Sequence, residues 1–210
     1  MTIDRAGFPF IGGTAALSLA AALTVGGVGA VPLLILAAFF TFFFRDPERH
    51  PPSGDELVLS PADGRVLVAG TANPDVTPEG EWRQISIFLS PMDVHVNRAP
   101  VAGRVLRVDF RKGRFLPAYH YDAAGHNERN EVWVDHDGQT VVFRQIVGIL
   151  ARRIVCRVAP GSELKAGQRV GIMKFGSRMD VFVPASAAVR VSVGDRVVGG
   201  ESVIAVLPVQ

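Results

Sequence analysis

Arg169-Val170-Gly171-Ile172-Met173-Lys174-Phe175-Gly176-Ser177-Arg178-Met179-Asp180-Val181-Phe182-Val183 reads as two short strands, 169–174 and 179–183, joined by a turn at Gly176-Ser177. Apolar and polar residues alternate in such strands, and small residues mark the turn. The same pattern extends outward, through 56–59, 65–69, 83–89, 103–110, 131–135, 140–145 and 154–158 upstream and 188–193 and 202–207 downstream. Gly, Pro or Asp turns separate these segments. Helical periodicity is weak, apart from a candidate turn at 147–153. A mainly β domain is predicted, an antiparallel sandwich or barrel. Ser60-Pro61-Ala62-Asp63-Gly64-Arg65-Val66, Ala99-Pro100-Val101-Ala102-Gly103-Arg104-Val105 and Val193-Gly194-Asp195-Arg196-Val197 place tight turns beside Val-rich strands. Turns of that kind resemble those of biotinyl and lipoyl carrier modules, a likeness of fold alone.

The composition changes near the N-terminus. The chain carries 22 Lys+Arg and 20 Asp+Glu, yet none of them lies in residues 6–44. As one helix this window would be about 58 Å long, roughly twice the hydrocarbon thickness of a bilayer. Gly26-Gly27-Val28-Gly29-Ala30-Val31-Pro32 interrupts it, which predicts two apolar helices, 8–25 and 32–44, folded as a hairpin. A cleaved signal peptide fits poorly, because its apolar core is about 7–15 residues long and ends at small residues. This window ends in Phe39-Phe40-Thr41-Phe42-Phe43-Phe44. Arg5 on one side and Arg45 and Arg49 on the other put both ends on the cytoplasmic face of the cell (inner) membrane. The expected division is a membrane-associated hairpin, 1–45, and one β domain, 46–210, too small for two ordinary domains. A net charge of +2 does not suggest a nucleic-acid binder. Cys156 is the sole cysteine, which excludes an internal disulfide framework and multi-cysteine metal sites.

Three constellations carry readable chemistry. A Gly-Ser pair is ordinarily a turn. Gly176 also leaves its carbonyl carbon open to attack, and tolerates the bent backbone that attack requires. Addition of Ser177 Oγ would shift the acyl group from nitrogen to oxygen. Elimination and hydrolysis would then yield chains 1–176 and 177–210, the second beginning with a pyruvoyl group. In Ser90-Pro91-Met92-Asp93-Val94-His95-Val96-Asn97-Arg98-Ala99-Pro100, His95 is either a structural histidine or an acid/base group near neutral pH. Asp63 precedes Gly64 and is first of all a turn residue, its carboxylate capping backbone N–H groups.

Ser60-Pro61-Ala62-Asp63-Gly64-Arg65-Val66, Phe88-Leu89-Ser90-Pro91-Met92-Asp93-Val94-His95-Val96-Asn97-Arg98, Asn127-Glu128-Arg129-Asn130, Gln145-Ile146-Val147-Gly148 and Phe175-Gly176-Ser177-Arg178 follow the hairpin in that order. Together they resemble the phosphatidylserine decarboxylase family, in its short bacterial and archaeal branch, over essentially the whole chain. The resemblance implies a zymogen of the lyase class that cuts itself between Gly176 and Ser177 and turns Ser177 into a pyruvoyl cofactor. It implies decarboxylation of phosphatidylserine to phosphatidylethanolamine and CO2 in phospholipid biosynthesis. Asp63 is thereby assigned to self-cleavage and His95 to the substrate. Longer family members carry a second histidine where this chain has Arg98. Two assignments stay open: His95 serves both maturation and turnover, or Asp63 acts through water or another group.

A ketone takes up the electron pair left at Cα when CO2 departs, so this chemistry calls for neither metal nor PLP. The implied partners are the aminophospholipid, the membrane, the two cleaved chains with each other, and a second copy as a homodimer. Arg45 and Arg49 would favour an anionic surface by about 1 kcal/mol each. Two other classes compete. A membrane-anchored carrier or binding module would present Lys174, after Met173, at an exposed turn tip. A metal-dependent hydrolase would use His95, His120, His126 and His136, which lack the H-x-x-x-H spacing of common ligand pairs.

Overall fold

The computed structural model describes residues 1–149 and 153–208, in two compact units, Met1–Glu48 and Arg49–Gln210. In the first, β1 (Thr2–Ile3) leads into α1 (Phe8–Thr24) and α2 (Gly27–Phe43), and β2 (Arg45–Asp46) returns to pair with β1. The helices form the expected hairpin. Phe10 packs on Phe40 and Phe44, with ring centroids 5.3 and 5.4 Å apart. Ser18 Oγ donates to Ala30 O across the pair. Leu19, Leu23, Val28 and Ile35 face outward and are exposed. The second helix starts at Gly27, not at Pro32 as the glycine-proline run suggests. Gly26, at φ +93°, makes the reversal alone. Pro32 removes a single hydrogen bond, to Val28 in the first turn, and an apolar helix tolerates this. The first helix, with its 3-10 lead-in from Arg5 to Thr24, is long and apolar enough to cross a membrane.

The second unit contains β3 (Leu57–Leu59), β4 (Gly64–Thr71), β5 (Trp82–Leu89), β6 (Val96–Arg98), β7 (Gly103–Arg111), α3 (Ala123–His126), β8 (Arg129–His136) and β9 (Gln139–Val147). After these come β10 (Ile154–Cys156), β11 (Glu163–Leu164), β12 (Arg169–Met173), β13 (Ser177–Pro184), β14 (Ala188–Val189), β15 (Arg196–Val197) and β16 (Val203–Val206). Eight strands form one antiparallel sheet, ordered β11-β7-β8-β9-β13-β5-β4-β15, curled as a half-barrel. Two three-stranded sheets, β10-β12-β6 and β14-β16-β3, complete the unit. Ile85, Ile87, Val132, Val134, Phe143, Met179 and Val181 form the inner face of the large sheet. They pack with Val58, Ile204 and Met173 from the small sheets, each buried side chain stabilising by about 1.5–3 kcal/mol.

The predicted mainly β class is what the chain adopts. Alternation overlooks β6, β11 and β15, of two or three residues each, because so short a run has no period. It overlooks α3, a single helical turn of four residues. The turn expected at 147–153 begins as the last residue of β9, and residues 150–152 lie outside the described ones.

Candidate active site

The chain passes from β12, in a small sheet, to β13, at the centre of the large one, through Lys174, Phe175 and Gly176. Phe175 has φ +66° and Gly176 φ +79°. Glycine adopts this region freely, but Phe175 is strained by about 1–3 kcal/mol. The strain adjoins the Gly176–Ser177 peptide bond. Ser177 then pairs with Leu89 of β5 and Val147 of β9. Its side chain is fully buried, and among the described residues Oγ has no hydrogen-bond partner. An unsatisfied buried hydroxyl costs about 1–3 kcal/mol, so the fold carries this group at a loss.

His95, just before β6, is fully buried beside the same turn. Its Nε2 accepts the Gly176 N–H at 3.2 Å, and its Nδ1 lies 2.9 Å from Asp93 O. A carbonyl only accepts, so Nδ1 carries the proton and Nε2 carries the lone pair that accepts the Gly176 N–H. Asp93 holds this turn, accepting from Ser90 N at 2.8 Å and from Arg196 Nη1 at 2.9 Å. On the other side, a Cβ placed on Gly148 would lie 2.4 Å from Gly176 O. Glycine at 148 therefore makes room for the carbonyl of the Gly-Ser bond.

Asn127 fixes this wall. Its side chain donates to Val147 O and Leu116 O, both at 2.8 Å, and accepts from Leu116 N at 2.9 Å. Asn130 donates to Gln145 Oε1 at 3.3 Å, and Gln145 Nε2 donates to Asn97 Oδ1 at 2.8 Å, two residues from His95. Asn127, Asn130, Gln145 and Gly148 all fall in motifs that the sequence marks without a role. The three amide side chains and the space left at Gly148 connect segments distant in the chain, so spacing alone could not reveal them.

Asp63 stands apart. Arg49 Nη2 donates to both its oxygens, at 2.9 and 2.7 Å, and Gly199 N donates to Oδ1 at 2.7 Å. The one backbone N–H that Asp63 is seen to accept belongs to the distant Gly199 and not to its own turn, and Asp63 makes no hydrogen bond to Ser177 Oγ. Arg49, read as a cation for an anionic surface, is instead 11% exposed and also bridged to Glu201 at 3.4 Å. Burial against two carboxylates withdraws it from that role. Arg45 lies over the Phe42 ring, 3.9 Å from its centroid. Arg98 is buried and donates to Gly167 O at 3.0 Å.

Lys174 is half-buried, not the exposed tip that a carrier would present. His136 bonds Ala102 O, while His120 and His126 are exposed beside Asp122. Among the described residues no three His, Cys, Asp or Glu side chains are placed to hold a metal ion.

Fold and site together define a β half-barrel protein, with an apolar helical hairpin before it in the chain and a buried serine that follows a strained Phe-Gly turn between two sheets. The family model for phosphatidylserine decarboxylase matches residues 36–205. A phosphatidylserine decarboxylase proenzyme of Solibacter usitatus is 45% identical over 193 residues, covering 90% of this chain and 91% of that protein. Proenzymes of the same name from Desulfotalea psychrophila, 40% identical, and Symbiobacterium thermophilum, 45% identical, cover 96% and 98% of this chain and 95% and 96% of their own lengths. The chain belongs to the phosphatidylserine decarboxylase family.

Proposed function

We propose that this chain is the proenzyme of a phosphatidylserine decarboxylase that cuts itself between Gly176 and Ser177 and forms phosphatidylethanolamine and CO2 at a membrane, in phospholipid biosynthesis. The observation that carries the reading is the junction itself: a buried Ser177 Oγ with no partner among the described residues, next to Gly176, whose N–H rests on His95. In the first step the Oγ–carbonyl bond forms as the Gly176–Ser177 C–N bond breaks, and the hydroxyl proton ends on the Ser177 nitrogen. Loss of the Ser177 Cα proton then breaks Cβ–Oγ, with the Gly176 carboxylate as leaving group. One water converts the resulting enamine to a ketone and releases ammonia.

The site fits a pyruvoyl group at residue 177, because the orphaned buried hydroxyl is the atom this conversion removes. Once formed, the group supplies the electron sink for decarboxylation. His95 supplies the proton relay. Its Nε2 is occupied by Gly176 N–H in the uncut chain, and cleavage makes Gly176 a free end that can withdraw and expose it. Maturation and turnover would then use His95 in succession. Asp63 acts at a distance, by holding the turn before β4 through Arg49 and Gly199.

The hairpin, 1–45, supports attachment to the cytoplasmic face of the inner membrane. The β domain, 46–210, would meet a lipid substrate there in two dimensions, and a homodimer is the assembly expected. Freshly purified protein should give two chains of 176 and 34 residues by mass. Ser177→Ala should remain one chain and release no CO2 from phosphatidylserine vesicles. A cut Ser177→Ala chain would overturn the assignment of the junction. Hydroxylamine should inactivate the mature protein, and indifference to it would argue against a ketone.

A further inference from the structure

A second concentration of charge lies on the outer face of the large sheet, and the chemistry at Ser177 does not use it. Ser177 belongs to the inner face, in alternation with core residues Met179 and Val181. On the outer face, Arg107, Asp109 and Arg111 of β7 lie opposite Trp133, Glu131 and Arg129 of β8, and Glu131 lies opposite Arg144 of β9. Most of these groups are matched. Arg107 pairs with Asp109 at 2.8 Å and stacks over Trp133. Glu131 accepts from Arg144 Nε on one oxygen and from Trp133 Nε1 on the other, at 2.7 Å.

Arg111 and Arg129 are left over. They are direct cross-strand partners of like charge, an arrangement that destabilises a ladder. Arg129 Nη1 donates to Gly125 O at 2.9 Å, but its Nε is buried and has no partner among the described residues. Burial first, then the neighbouring Arg144 and Arg111, push its pKa below the ordinary arginine value. Between these side chains and the 75–79 loop opens a cavity of about 690 Å³, within the range of ligand sites. Asp75 and Glu79 line its mouth, and neither forms an ion pair with Arg111 or Arg129.

We propose that this cavity is an oxyanion site, in which Arg111 and Arg129 chelate a phosphate group from either a phospholipid headgroup or free phosphate. Two guanidinium groups on neighbouring strands of one cavity wall suit a tetrahedral oxyanion, and a bound anion reverses the sign of their interaction. Trp133 forms one wall of the cavity.

The test uses the full chain in neutral detergent micelles. Inorganic phosphate should raise Tm in a saturable way, while chloride at matched ionic strength should not. Arg111→Ala changes an exposed residue and should raise the half-saturating phosphate concentration at least tenfold. Arg129→Met, which keeps the side-chain volume, should do the same. Ser177→Ala should bind phosphate as the parent chain does, so this result is independent of the junction. Dihexanoyl phosphatidylglycerol below its micellar concentration separates the sources: tighter binding than phosphate assigns a lipid headgroup, weaker binding assigns free phosphate. Equal responses to phosphate and chloride, or an Arg111→Ala response like that of the parent chain, would overturn the proposal.

Discussion

A Cβ on Gly176 would meet nothing within 4 Å, whereas one on Gly148 would strike the Gly176 carbonyl oxygen at 2.4 Å. The first glycine is required by its dihedral angle and the second by space. Gly148→Ala must displace the Gly176 carbonyl, at the bond proposed to be cut, and a misplacement near 1 Å can cost about 10²-fold in rate. We expect self-cleavage of Gly148→Ala to slow by about that factor, followed as the appearance of chain 1–176 on denaturing gels. An unchanged time course would remove Gly148 from the mechanism. His95→Ala, assayed as CO2 release per cleaved chain, should lose about 10²–10⁴-fold, the usual contribution of an acid/base group. Full turnover in that variant would make His95 structural. Gly176, Ser177 and His95 stand out in the sequence as candidates because each has a residue type suited to the proposed chemistry, and the structure brings them together. Gly148 does not stand out, since the atom that excludes a side chain there lies 28 residues further along the chain.

At the level of elements, β13 carries the junction and is held by more than its ladder. Arg178 and Asp180, both buried on its outer face, pair at 2.6 Å, and Arg178 also donates to Ser86 of β5 at 2.9 Å. Removing one member of a buried pair leaves an uncompensated charge. Asp180→Ala should therefore destabilise the β domain by about 3–5 kcal/mol, read from urea unfolding. The segment after the hairpin has a second tie, where Glu201 accepts His50 N at 2.9 Å and Arg49 Nη1 at 3.4 Å. The His50 hydrogen bond, the largest effect, holds the Glu201 pKa below its ordinary 4.5; burial, next in size, opposes it, and Arg49 adds to the lowering. A depressed carboxylate contributes stability above its unfolded pKa and loses it as pH falls through the folded value. Glu201→Gln should thus lower Tm at neutral pH, and the two Tm curves should converge below about pH 4.5. Curves that stay parallel into acid would show that the Glu201 charge does not contribute. Sequence periodicity found β13 and its neighbours. It could not find these ties, because Arg49, Asp63 and Glu201 meet only when distant turns are packed together.

For the whole molecule, the proposed cut at Gly176–Ser177 would separate the chain without separating the fold. The 177–210 segment supplies β13 between β5 and β9, β14 and β16 beside β3, and β15 beside β4. The cleaved protein should elute as one species under native conditions and part into two chains only in denaturant. Release of the 34-residue chain on native gel filtration would contradict this. By itself the sequence determined the mainly β class, the apolar hairpin and the Gly-Ser junction, because these rest on local alternation, absence of charge and the chemistry of adjacent residues. Tertiary structure alone decided that His95 reaches the Gly176 amide, that Asp63 is held by Arg49, and that Arg111 lies beside Arg129 in the lining of one cavity. Those are pairings between residues 14 to 81 positions apart, set by strand register and packing, which no local pattern encodes.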